Sequence, residues 1–133
     1  MRAVLIVALF TLAACTYTPS EIRDFPSKLT GHTALAPQQA ANCTASQIAD
    51  KSSSFFATPR PSVLQGKAPG AVAVILYSGN FLTGVIDFVP AGGGSDLEIK
   101  LAPGNMSPLQ RWAAEAVQSC DPAVVLVNPY PAT

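Results

Sequence analysis

Charge is scarce in this chain. Eight Lys and Arg side chains, eight Asp and Glu and a single histidine are spread over 133 residues. With neither sign in excess there is no basic field to attract phosphate, which excludes nucleic acid as a partner. The lone histidine, His32, lies between Gly31 and Thr33 in a stretch of broken periodicity. A catalytic triad or a histidine-based metal centre would need that imidazole fixed by a rigid scaffold, so none is expected here. None of the three cysteines, Cys15, Cys43 and Cys120, belongs to a Cys-x-x-Cys pair, so redox catalysis has no motif. Gly92-Gly93-Gly94 precedes neither a Lys-Ser/Thr pair nor a helix start, and reads as a loose hairpin connection rather than a phosphate loop. No cofactor is expected.

The strongest signal is at the start of the chain. Met1-Arg2 is a short positive segment, Ala3 to Leu12 is apolar, and Ala13-Ala14 are small. About ten helical residues rise only about 15 Å, half of a bilayer's hydrocarbon core, so the run fits a secretion leader and not a permanent span. It has no polar stripe, as an amphipathic core helix would. Leu12-Ala13-Ala14-Cys15 then resembles the lipobox of bacterial lipoproteins. The resemblance covers the first fifteen residues and no particular domain family. It implies a leader over 1–14, cleavage before Cys15 and diacylglycerol on the Cys15 thiol. Thr16, in place of the aspartate that commonly retains enterobacterial lipoproteins at the inner membrane, implies the outer membrane. The domain would then face the periplasm. Removing Arg2 with the leader leaves the mature chain close to one net negative charge.

From Cys15 to about Leu35 the chain reads as a lipidated tether. Pro19, Pro26 and Gly31 interrupt any period, and Glu21, Arg23, Asp24 and Lys28 keep it wet. Fully extended, about twenty residues would hold a domain about 60 to 70 Å from the membrane. A single domain over 36–133 follows. Pro37 suits the first position of a helix running to about Asp50, with Asn42 or Thr44 as alternative late caps and Gln47 closing a box on Thr44. A short strand is expected over Ser53 to Thr58, stopped by Pro59-Arg60-Pro61, and a polar connection over Ser62 to Gly70. Ala71 to Tyr77 and Phe81 to Val89, separated by Ser78-Gly79-Asn80, read as a hairpin. The first of the two is apolar on both faces, as in a doubly covered strand. In the second, Leu82, Ile86 and Phe88 share a face, Thr83 and Asp87 point the other way, and Gly84 marks a bulge or a close approach. Asp96 to Leu101 alternates strictly, and its charges suit an edge strand. Ser107-Pro108-Leu109-Gln110 opens the clearest helix, which ends at Asp121-Pro122. Leu109, Trp112, Ala113, Ala116, Val117 and Cys120 lie on one side of it. Val124 to Val127 is a candidate last strand.

The expected fold is therefore α+β: a mainly antiparallel sheet of three to five strands with an N-terminal and a C-terminal helix. With Cys15 lipidated outside the cytoplasm, Cys43 and Cys120 remain on apolar helix faces. A disulfide stapling the two helices across the sheet is the simplest outcome, and two buried free thiols are the alternative. Asp87, Asp96 and Glu98 share a sheet region, and charged solvent faces explain them better than an acid/base pair. Phe55, Phe56, Tyr77, Phe81 and Trp112 are expected to pack; Phe81 and Tyr130, if exposed, are partner contacts. The Asn42-Cys43-Thr44 sequon is discounted. The functional expectation is a non-enzymatic envelope lipoprotein that binds another envelope protein, by analogy with small lipoproteins of secretion and outer-membrane assembly machines. A rival is a binding module similar to lipoprotein inhibitors of lysozyme. That rival needs a protruding polar loop, with Gly92 to Asp96 and Pro103 to Asn105 as the candidates.

Overall fold

Thr18-Pro19-Ser20-Glu21 is a capping box with proline at the first helical position, and it starts a helix where a tether was expected. In the computed structural model, which describes residues 17–52, 60–103 and 107–130, α1 spans Pro19–Arg23. The Thr18 hydroxyl accepts from the Glu21 N–H at 3.2 Å, and the Glu21 carboxylate accepts from the Thr18 N–H at 3.3 Å. A strand, β1 (Leu29–Thr33), follows directly. The tether assignment is thus corrected along its described part, 17–35: Ile22 is fully buried and β1 is one strand of the sheet. The prolines punctuate short elements there; they do not dissolve them. Cys15 lies outside the described residues.

Beyond β1 come α2 (Pro37–Ser52), β2 (Arg60–Gln65), β3 (Val72–Ser78), β4 (Phe81–Ala91), β5 (Gly94–Leu101) and α3 (Ser107–Cys120). The five strands form one antiparallel sheet in the order β1-β5-β4-β3-β2. The expectation of an α+β fold with a mainly antiparallel sheet of three to five strands and helices early and late in the chain is met, with five strands among the described residues. The expected strand over 53–58 lies outside the described residues. Arg60 to Gln65, read as a stop followed by a connection, is instead a strand. Pro61 is compatible with that because β2 is an edge, where a missing N–H need not break a ladder. β5, expected at an edge, is an inner strand between β1 and β4. Asp96 and Glu98 do face outward, but β1, the strand that pairs along the outer side of β5, comes from the segment expected to be tether.

Alternation along the strands sorts the core into two layers. Val72, Val74, Leu76, Ile86, Phe88, Leu97, Ile99 and Leu101 face α2 and α3, where Ala40, Ala41, Ile48, Leu109, Ala113, Ala116 and Val117 meet them. On the opposite face Ile22 of α1 packs with Ala73, Ile75, Leu82 and Val85. β3 is therefore covered on both sides, as its uninterrupted apolar run required. Leu82 does not share a face with Ile86 and Phe88. The β3–β4 register slips between Leu76 and Tyr77, where Leu76 pairs with Gly84 but Tyr77 pairs with Leu82, so Thr83 is an extra residue. The buried Thr83 hydroxyl donates to the Leu76 carbonyl at 3.0 Å. Gly84 also sits at a close approach: a Cβ there would lie 2.7 Å from Leu101 Cδ2.

Cys43 and Cys120 are bonded, with Cα atoms 5.9 Å apart. Because α2 and α3 lie side by side on one face, the bridge joins neighbours and does not reach across the sheet. Thr44 is a buried mid-helix residue and not a cap, since α2 starts at Pro37. Val124 to Val127 forms no strand. A single bridge joins Val127 to Thr30, with the Thr30 N–H donating to Val127 at 2.8 Å and the reverse bond at 2.9 Å.

Candidate functional site

The polar residues of the outer sheet face are sorted by register. His32 stands opposite Asp96, Thr30 opposite Glu98, and Glu98 opposite Asp87. The strand holds His32 firmly, contrary to a place in a loose linker, and its Nδ1 lies 2.8 Å from Asp96 Oδ1. Both side chains are more than half exposed. The neighbouring positions on this face are Thr30, Glu98 and Val89, and the Thr30 hydroxyl already points to the Val127 carbonyl. A general base works best in a shielded site, and both members of this pair are exposed among the described residues.

The carboxylates are each tied to a partner of their own. Arg23, on the last turn of α1, grips Asp87 with Nε 3.0 and 3.2 Å from the two oxygens and a terminal nitrogen at 3.0 Å. This is the fork geometry that guanidinium and carboxylate favour. Glu98 accepts from the Ser27 hydroxyl at 3.0 Å and lies 3.3 Å from Lys100 Nζ, which also donates to the Arg23 carbonyl at 2.6 Å. A small cavity of about 150 Å³ opens beside Arg23, Lys67, Asp87 and Glu98. These contacts tie α1 to the sheet. The Arg23–Asp87 clamp was missed in the sequence, although the Thr18–Glu21 box was the signal that α1, and hence Arg23, would be ordered.

The two ends of the sheet differ. At the β1 edge the C-terminal segment pairs once, Val127 with Thr30, and Asp121 braces the turn into α2. Its carboxylate accepts from the Thr33 hydroxyl at 2.7 Å and the Ala34 N–H at 3.2 Å. These bonds, the hydroxyl first, hold the Asp121 carboxyl below its ordinary 3.8. At the other edge β2 pairs only with β3 among the described residues. Leu64 is about half exposed there. An open groove of about 540 Å³ runs alongside, lined by the start of α2 at Pro37 and Gln38, by Val63 to Gln65 of β2 and by Gly70 to Val72. Its lining is mostly apolar, with the amides of Gln38 and Gln65 and no titratable group among the residues that line it.

The remaining candidates fall as follows. Trp112 and Tyr77 pack against the two core layers. Phe81 and Tyr130 are exposed, at 57% and 66%, which corrects the packing expectation for Phe81: it stands at the tip of the β3–β4 turn. Phe55 and Phe56 lie outside the described residues. Gly92 and Gly93 are no loose loop. Both take positive φ, 55° and 82°, and close a two-residue turn between Ala91 and Gly94. Ser95, just beyond, is buried and donates to the Leu35 carbonyl at 2.8 Å. Of Pro103 to Asn105 only Pro103 is described. Among the described residues no helix is long and apolar enough to cross a membrane, and no cluster of three or more metal-ligating side chains occurs. Set against family models, curated proteins and solved structures, the chain matches none.

Proposed function

We propose that this chain is a lipid-anchored component of the bacterial envelope that works by holding another envelope protein rather than by catalysing a reaction. The lipobox Leu12-Ala13-Ala14-Cys15 behind an apolar leader supports the anchor, and Thr16 favours the outer membrane with the domain facing the periplasm. The observation that carries the binding mode is the asymmetry of the sheet. One edge is engaged at Thr30 by the chain's own C-terminal segment, and the other, β2, pairs only with β3 among the described residues and lies beside a mostly apolar groove. An extended segment of a partner adds there as a sixth strand, with main-chain bonds giving affinity and Leu64 and the groove selecting side chains.

A photo-crosslinking residue at Leu64, in cells making the full-length protein, tests this against the same residue at Val125 beside the β1 edge. Leu64 should give one discrete adduct that Val125 does not. Equal labelling at both positions, or none at Leu64, removes β2 as the docking edge. The lysozyme-inhibitor alternative has less support, since Gly92 to Asp96 is a tight turn followed by a buried serine and offers no projecting polar plug.

A further inference from the structure

We infer that the domain lies flat on the lipid surface with α1 and the outer sheet face toward the bilayer, a proposal that rests on lipidation at Cys15. The argument is one of chain length. The described fold begins at Tyr17, and Thr18 already caps α1. Only Thr16 separates Tyr17 from the acylated residue. Two residues extend at most about 7 Å, so the Tyr17 backbone stays within that distance of the Cys15 backbone. Tyr17 in turn is fixed to the domain: its ring meets Phe25 edge-on at 5.4 Å between centroids, and Phe25 packs on the layer that contains Ile22.

A tether of about 60 to 70 Å would let the domain turn freely, whereas this one leaves no slack. Acyl chains inserted at Cys15 therefore bring the nearest surface, α1 with Tyr17, to the headgroups. Tyr17 is more than one-third exposed and amphipathic, as suits a ring at the membrane interface. Since α1 and the α2–α3 pair cover opposite faces of the sheet, the order outward from the lipid is α1, sheet, then the disulfide-linked helices. Trp112 on α3 belongs to the layer farthest from the bilayer.

Fluorescence in vesicles tests the orientation. Lipidated full-length protein is purified from membranes and placed in phosphatidylcholine vesicles with either plain or brominated acyl chains, bromine quenching only indole groups near it. Wild-type protein, whose one tryptophan is Trp112, should emit equally in both. Tyr17→Trp should lose most of its added emission in brominated vesicles. Ser20→Trp, at an exposed position of α1 that needs no repacking, should respond in the same direction. Unquenched emission at both positions, with diacylglycerol confirmed on Cys15 by mass, would overturn the orientation while leaving the anchor standing. Absence of lipid on Cys15 would overturn both.

Discussion

Ile22 decides whether the segment that follows Cys15 is a leash or part of the body. Its side chain is fully buried against Ala73, Ile75, Leu82 and Val85. Ile22→Ala should therefore cost about 2 to 5 kcal/mol, the usual range for emptying a packed site, in urea unfolding of a secreted Cys15→Ser protein. In a leash the same change would leave the midpoint where it was. Arg23 and Asp87 are both mostly shielded, at 20% and 16% side-chain exposure. A double-mutant cycle through Arg23→Met and Asp87→Asn should return a coupling of about 1 kcal/mol, above most exposed pairs. Acid should weaken the fold through Asp121 and Glu115. Thr33 holds the first carboxyl below 3.8, and the Lys51 ammonium, 2.7 Å away, holds the second below 4.5. A carboxyl whose pKa is lower in the fold than in the open chain adds stability above the open-chain value. That stability disappears as the pH falls through the folded one. Denaturant midpoints taken from about pH 6 down to about pH 3 should fall, and Asp121→Asn should flatten part of that slope. None of these pairings was legible from spacing, because Thr33 and Asp121 are 88 residues apart and Arg23 and Asp87 are 64 apart.

The elements were more legible than their neighbours. Period-two and helical patterns located β3, β4, β5, α2 and α3 to within a few residues, since each buries a whole face and the pattern records it. What failed was anything decided by context. Pro61 reads as a breaker until β2 is known to be an edge, and Asp96-x-Glu98 reads as an edge strand until β1 is known to pair along its outer side. The bulge at Thr83 moved Leu82 to the other face, and no single-strand pattern records a slip in its partner's register. The disulfide was legible because only two cysteines remain after Cys15. Closing a loop of 77 residues' separation restricts the unfolded chain by about 4.5 kcal/mol in the chain-entropy picture. The Cys43→Ala/Cys120→Ala protein should therefore lose a large share of its unfolding free energy. A loss below about 1 kcal/mol would mean that the α2–α3 contact holds without the bridge.

At the scale of the whole molecule, function divides between the two ends of the sheet and its two faces. The C-terminal segment pairs with the β1 edge at Thr30, β2 has no partner but β3 among the described residues, and α1 lies close in the chain to Cys15, the residue proposed to carry the lipid. The candidate site was only partly legible. The cysteine pair Cys43–Cys120 was readable, but an edge such as β2 is a property of strand order, which no local run of residues encodes. Everything depends on acylation of Cys15, because the membrane position, the short reach and the periplasmic partner all follow from it. The direct measurement is the intact mass of the protein extracted from membranes with detergent. The account predicts residues 15–133 with diacylglycerol on the first cysteine. A chain that retains Met1 to Ala14, or one that begins nearby with an unmodified Cys15 thiol, would contradict it.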